Sequence, residues 1–302
     1  MARTGELEAL YAAMEESAEL LGIAPSREKV LPILEAYQDD LAKLVVAFRV
    51  TTRGAEDLDC RFTALPGDVN PYLDAVHKGI TPATDHPVGS LLADLEDKMP
   101  FLAHGIDFGV VGGFKKTWTF LPMTDLQNLA TLIDTPSMPK SLAENIDFYK
   151  RYGLDDKLSM IGVDYPSRTV NIYFLGAPAE CREPETVRAM LKDLGLPEPS
   201  ERMLEMAQRA AGIYTTLSWD SPNIHRITFA TMVPDFRQLP DELDVAPEIE
   251  KFARNVGYTY DATGKGLYNA AGYSGGEYFK LQTYYQLAPG TVEAKGLLGS
   301  AA

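Results

Sequence analysis

The chain has 302 residues, 45% of them hydrophobic, and its 28 lysines and arginines against 43 aspartates and glutamates give a formal net charge of −15. That is the composition of a globular protein, and the acidic balance excludes both a nucleic-acid binder with a basic footprint and a polybasic membrane-surface protein. Cys60 and Cys181 form no disulfide framework or CxxC pair, no apolar run reaches the length of a membrane span, and MARTGELEAL turns acidic without a signal-peptide core, so a cytoplasmic protein is expected.

Helical periodicity opens the chain over 6–22, with Gly22 as C-cap. A second helical pattern covers 26–41, with Ser26 as a capping-box-like start and Pro32 predicting a kink or break. Strand patterns follow at 44–52 and 57–65. The same order then recurs. Helices near 70–79 and 87–98 precede strands near 101–109 and 113–121. Helices near 124–132 and 141–152 precede strands near 158–165 and 168–175. Helices near 184–194 and 199–210 precede strands near 211–219 and 223–232, and a helix near 246–256 precedes strands near 265–273 and 277–287. Five hairpins at intervals of roughly 55 residues mark a repeated supersecondary unit. No linker divides the chain, so one domain over 1–302 is expected, with a glycine-rich tail after Pro289 that frays.

The strands carry two different faces. Val46, Phe48 and Val50 oppose Ala47, Arg49 and Thr51; Leu58, Cys60 and Phe62 oppose Asp59, Arg61 and Thr63; Ile227 and Phe229 oppose Arg226, Thr228 and Ala230; Phe279 and Leu281 oppose Lys280, Gln282 and Tyr284. The apolar face suits a helical layer. About ten antiparallel strands can close into a barrel, which removes exposed edges and turns the polar face inward. The segment GGFKKTWTF (112–120) fits this less well. Alternation puts Phe114, Lys116, Trp118 and Phe120 on one face and leaves Lys115, Thr117 and Thr119 to the helices.

The shared polar face collects Arg49, Arg61, Lys116, Arg226 and Lys280. Each alone reads as a solvated surface charge. Their common parity across several hairpins points to a converging cluster of the kind that holds a diphosphate. The same face collects Trp118, Tyr173, Tyr214 and Tyr284, whose rings can stabilise a carbocation and exclude water. Asp59 and Arg61 stand two apart, either as a structural pair or as a place where Asp59 holds magnesium or Arg61 substitutes for it. There is no DDxxD, HExxH or GxSxG motif. Gly264-Lys265-Gly266 is not a P-loop, and His77, His86, His104 and His225 are scattered.

YAAMEES, PATDHPV, GGFKKTWTF, PSMP, NIYF (171–174), TLSWD (216–220) and EYFKL (277–281) together give the chain a resemblance to the soluble aromatic prenyltransferases of the ABBA family, nearest to the phenazine-prenylating subgroup with naphthalene and flaviolin prenyltransferases next. The resemblance implies an α+β fold of five ααββ units. These form one ten-stranded antiparallel barrel with a solvent-filled lumen, ringed by helices. It also implies that Lys116, Asn171, Tyr214, Arg226 and Lys280 grip the diphosphate, joined by Arg49 and Arg61, and that Trp118, Tyr173 and Tyr284 shield the prenyl chain. Ser159, Met160, Ala211, Gly212, Ala230 and Gln282 would line the acceptor pocket. Asp59 falls where metal-dependent relatives hold magnesium, but Arg61 matches metal-independent ones, so neither a metal nor another cofactor is expected.

The function so implied is transfer of a dimethylallyl group from dimethylallyl diphosphate to a ring carbon of 5,10-dihydrophenazine-1-carboxylate, by a monomer that binds neither nucleic acid nor membrane. A flaviolin-type enzyme using geranyl diphosphate is the nearest alternative. Glu277 is a candidate final base despite its wrong parity with Lys280, alongside water or the diphosphate. Outside this class, a non-catalytic carrier of an amphipathic anion and a hydrolase or cyclase of the same diphosphate remain open.

Overall fold

The computed structural model describes residues 2–53, 56–238, 247–257 and 265–286; the tail after Pro289 lies outside them. Among the described residues there are ten strands: β1 (Val45–Thr51), β2 (Asp59–Pro66), β3 (Ala103–Gly109), β4 (Gly113–Phe120), β5 (Leu158–Asp164), β6 (Thr169–Leu175), β7 (Gly212–Ser218), β8 (Arg226–Val233), β9 (Gly266–Tyr273) and β10 (Gly276–Gln286). Each pairs antiparallel with its chain neighbour, and β1 pairs with β10, which closes the barrel. The fully described hairpin turns, from 110–112 to 274–275, fall at the same end of the barrel. The helical crossovers join strands at the other end.

The helices are α1 (Ala2–Glu19), α2 (Arg27–Ala36), α3 (Pro71–His77), α4 (Leu91–Glu96), α5 (Ala130–Ile133), α6 (Ser141–Glu144), α7 (Ile146–Arg151), α8 (Pro184–Asp193), α9 (Glu201–Gln208) and α10 (Pro247–Asn255). They pack outside the sheet: α2 on β4, α9 on β8 and β9, α10 on β1 and β10. The outward strand face, including Phe48, Phe62, Phe108, Ile172, Phe229 and Leu281, is buried against them in one continuous apolar layer. That layer lies between barrel and helices, so the lumen is free to be polar. No described helix is long and apolar enough to cross a membrane.

Several helices differ from expectation. Pro32 lies inside α2 without ending it, and the helix stops at Ala36 instead of 41. Ser26 occupies the N-cap with extended backbone but makes no side-chain cap bond. The predicted helix 124–132 is mostly turn, because Gln127 bridges to Leu158 and the Asn128 side chain accepts from Ala130 N–H. The 141–152 helix breaks at Asn145, whose amide donates to Ser141 and Pro222 carbonyls.

The puzzle of GGFKKTWTF resolves in a β-bulge. Asp107 pairs with Lys116 but Phe108 pairs with Phe114, so Lys115 is an extra residue. The bulge flips parity, and Phe114 therefore joins the outer apolar layer beside Tyr165 instead of the lumen face. Thr117 and Thr119 do face the helices, each with a polar partner. The Thr117 hydroxyl meets Tyr165 Oη at 2.9 Å and the Thr119 hydroxyl meets His104 Nδ1 at 3.0 Å.

Candidate active site

Strand register assembles the lumen's hairpin end. One lateral row runs Ala47, Arg61, Asp107, Lys116, Asp164 from β1 to β5. The next runs Trp118, Gly162, Asn171, Thr216, Arg226 from β4 to β8. Residues distant in sequence become neighbours because they share a row and a parity.

Most of the cations here are matched. Arg49 Nη2 lies 2.7 Å from Asp59 and 3.1 Å from Asp107. Arg61 clasps both oxygens of Asp107, at 2.7 and 3.1 Å. Lys116 meets Asp164 at 2.8 Å, and the bulged Lys115 sits between Asp57 at 2.9 Å and Asp59 at 2.7 Å. Gly109 leaves room for that contact, since a Cβ there would lie 1.8 Å from an Asp57 oxygen. Burial opposes ionisation of Asp107, but Arg61 and Arg49 overcome it and hold the carboxyl below its usual range. Burial likewise opposes ionisation of Asp164, and Lys116 overcomes it.

Arg226 and Lys280 differ from these. Arg226 donates to Tyr278 Oη at 2.5 Å and to Asn171 Oδ1 at 3.1 Å, and Lys280 donates to Tyr214 Oη at 3.2 Å. No carboxylate among the described residues pairs with either. Burial, with Arg226, Arg49 and Lys116 adding repulsion, pushes the Lys280 ammonium down to about 7. The neighbouring Tyr278 is held below its usual value despite burial, because Lys280 and Arg226 favour its phenolate. Arg226 Nε and Thr228 Oγ1, both buried, have no hydrogen-bond partner. The arrangement leaves buried donors without acceptors beside two cations that no described carboxylate neutralises, which is what binding an anion would require.

A cavity of about 180 Å³ opens from this cluster toward the crossover end. Arg49, Arg61 and Lys280 line its polar part, and Val45, Leu121, Met123, Met160, Leu175 and Met232 its apolar part. Between them stands an aromatic chain. Arg61 lies 4.0 Å over Trp118, Trp118 meets Tyr173 edge-on at 5.3 Å, and Tyr173 stacks on Tyr214 at 4.3 Å. Tyr284 completes the wall with its hydroxyl bonded by Gln282.

The structure thus brings together Arg49, Arg61, Lys116, Asn171, Tyr214, Arg226 and Lys280 at one end, and Ser159, Met160, Ala211, Gly212, Ala230 and Gln282 around the cavity. Glu277 is not among them. It faces outward and caps α9, bonding Ser200 N–H and, at 2.7 Å, the Ser200 hydroxyl. The parity mismatch with Lys280 was the signal. Asp59 and Arg61 are not a pair either, since the intervening register gives Arg61 to Asp107. Both Asp59 oxygens already face cations, Arg49 and Lys115, and the described residues contain no group of three metal-ligating side chains. A divalent ion at Asp59 would meet two positive charges, so these residues do not fit one as they stand. Asp107, Asp164, Thr216 and Tyr278 escaped the sequence reading. Their strand parity was legible, but an acid or hydroxyl on an inward face signals nothing until its cation is placed beside it.

The family model for "Aromatic prenyltransferase Orf2" matches residues 6–292 of the chain. The chain is 44% identical over 293 residues to a 5,10-dihydrophenazine-1-carboxylate 9-dimethylallyltransferase of Streptomyces anulatus, covering 95% of each. It is 46% identical over 288 residues to a flaviolin linalyltransferase of Streptomyces virginiae, covering 95% of this chain and 94% of the other. A furaquinocin biosynthesis prenyltransferase of a Streptomyces species is 45% identical over 283 residues, with 93% and 91% covered. The crystal structure of 5-dimethylallyltryptophan synthase from Streptomyces coelicolor, in complex with DMASPP and Trp, shares the fold at a TM-score of 0.54 and 12% identity, over 92% of this chain and 94% of that one.

Proposed function

The chain belongs to the aromatic prenyltransferase Orf2 family and is a prenyl-transferring enzyme acting on a prenyl diphosphate and an aromatic acceptor; from that premise we propose that its donor is dimethylallyl diphosphate and its acceptor 5,10-dihydrophenazine-1-carboxylate. The observation that carries the donor site is the pair of buried cations without carboxylate partners, Arg226 and Lys280, beside the aromatic chain. They take the diphosphate together with Lys116, Asn171 and Tyr214, while Arg49 and Arg61, already paired with carboxylates through Nε and Nη2, add their Nη1 donors. The C1–O bond breaks with its electron pair passing to the diphosphate, whose charge these groups stabilise. Trp118, Tyr173, Tyr214 and Tyr284 present ring faces to the allylic cation and keep water away. A ring carbon of the acceptor forms the new bond, and its proton passes to the departing diphosphate or to water, Glu277 being on the outside of the barrel.

Small Ala211, Gly212 and Ala230 leave room for a wide flat ring. A flaviolin-type acceptor with a ten-carbon donor is the second reading, favoured by the equally similar relative from Streptomyces virginiae. The whole chain is inferred to act as one domain and as a monomer without metal.

Incubation of five- and ten-carbon donors with dihydrophenazine carboxylate, flaviolin and hydroxybenzoate, with and without EDTA, tests the reading by mass spectrometry. The expected product is dimethylallylated dihydrophenazine carboxylate, formed equally in EDTA. Unaltered ligands would indicate a carrier, alcohol or cyclised terpene a hydrolase or cyclase, and loss of turnover in EDTA a metal requirement.

A further inference from the structure

One lumen amide is uncommitted. Asn269 on β9 is 4% exposed and lines the cavity. Its backbone pairs with Lys280 on one side and Ala230 on the other, which places it between the anion site and the apolar part of the cavity. The other two amides named in the lumen each have one polar atom committed. Asn171 accepts from Thr216 and Arg226, and Gln282 donates to Tyr284. The Asn269 carboxamide makes no hydrogen bond to any described residue. On the lumen face its lateral neighbours are Lys280 and Ala230, and Leu267, two residues before it on the same strand, also lines the cavity. On the cavity wall, an amide without a protein partner has both its donor and its acceptor available to whatever fills the cavity.

We propose that Asn269 orients the aromatic acceptor by taking a hydrogen bond from an O–H or N–H on its ring, and so chooses the carbon that is prenylated. The inference rests on the prenyl-transfer reading. Accepting that hydrogen bond at Oδ1 leaves electron density on the ring heteroatom, which enriches the carbon ortho to it. Because Lys280 is the lateral neighbour, the heteroatom is held beside the diphosphate-binding lysine, and the ortho carbon is presented to C1 of the donor. The C1–O bond breaks toward the diphosphate and the ring π pair makes the C–C bond. The proton on that carbon leaves to the diphosphate, while the O–H or N–H held by Asn269 keeps its own proton. A phenolic naphthalene and a dihydrophenazine both supply such a donor.

The test compares the wild type with Asn269→Val, using dihydrophenazine carboxylate, flaviolin and their N- or O-methylated counterparts. Asn269→Val is expected to lower acceptor kcat/KM about tenfold or more and to turn a single regioisomer into a mixture. Donor KM should stay within about twofold, which also shows that the variant is folded. Methylating the responsible heteroatom should cost the wild type the same factor and cost the variant nothing. The acceptor that shows this coupling is the one Asn269 reads. An unchanged regioisomer at unchanged acceptor kcat/KM, or equal losses with methylated and unmethylated rings, would overturn the proposal. Absence of product from the wild type with every acceptor would overturn the catalytic reading instead. Tryptophan-fluorescence quenching by the same acceptors then decides on Asn269 alone: weaker binding to the variant supports its role, and equal binding ends it.

Discussion

The two ends of the lumen are built from opposite materials. The hairpin end holds Arg49, Arg61, Lys115 and Lys116 against Asp57, Asp59, Asp107 and Asp164, with nearly every donor assigned an acceptor. The crossover end is lined by Met123, Met160, Met232, Ala211, Gly212 and Ala230, which make few directional contacts. A network of paired charges is rigid because breaking one member strands another in low dielectric. Methionines and small residues repack at little cost. One end is therefore suited to a constant anionic head group and the other to a variable ring. Relatives of nearly equal identity bearing the names of different acceptors are what such a division permits.

The sharpest way to break that comparison is at the hairpin end. Arg226→Leu is expected to lower kcat/KM by at least about a hundredfold, with the loss seen for every acceptor alike; steady-state kinetics with two acceptors checks it. Ala230→Phe, at the other end, should cost about tenfold for wide acceptors and leave donor KM unchanged. A loss in donor KM there would show that the two ends are not separable.

The pH dependence separates them further. In the empty barrel the Lys280 ammonium titrates near 7. Below that pH it is already charged; above it, diphosphate binding must bring a proton in. Donor affinity should therefore weaken as pH rises above 7, with proton uptake visible by calorimetry in two buffers. Lys280→Arg, which stays charged, should flatten the profile while acceptor KM remains indifferent.

Asp107→Asn leaves Arg49 and Arg61 without their shared carboxylate. It should destabilise the fold by about 3–5 kcal/mol in urea unfolding, where Ala230 substitutions do not. Glu277→Gln, outside the lumen, should leave activity within about twofold and cost about 1 kcal/mol or less through the α9 cap.

Much of this was legible in the sequence because strand parity is a local property. Alternation alone sorted Arg49, Arg61, Arg226 and Lys280 onto one face; the five-hairpin period marked a repeated unit and allowed a barrel, which the family resemblance specified. What alternation cannot show is register and interruption. The bulge at Lys115 reversed the parity of Phe114, and only its geometry explains why a lysine adjoins Asp57 and Asp59. Arg61 and Asp59, adjacent in parity, went to different partners because β3 intervenes with Asp107. The helical layer was the least legible part. Helices such as α5 and α6 are a single turn long, and side-chain bonds from Asn128 and Asn145 outweigh propensity there.

The seam between β1 and β10 has a consequence for biosynthesis. A hydrogen bond from Phe279 N–H to the Thr52 hydroxyl joins residues 227 positions apart, and Arg49 and Lys280 lie on either side of the same join. The entropy of closing so long a loop must be met before those contacts can repay it. A nascent chain therefore has most of its hairpins available long before it has an interior. Until β10 emerges from the ribosome and zips to β1, Arg49 and Lys280 stand apart in water, and the polypeptide has no enclosed interior in which to shelter anything.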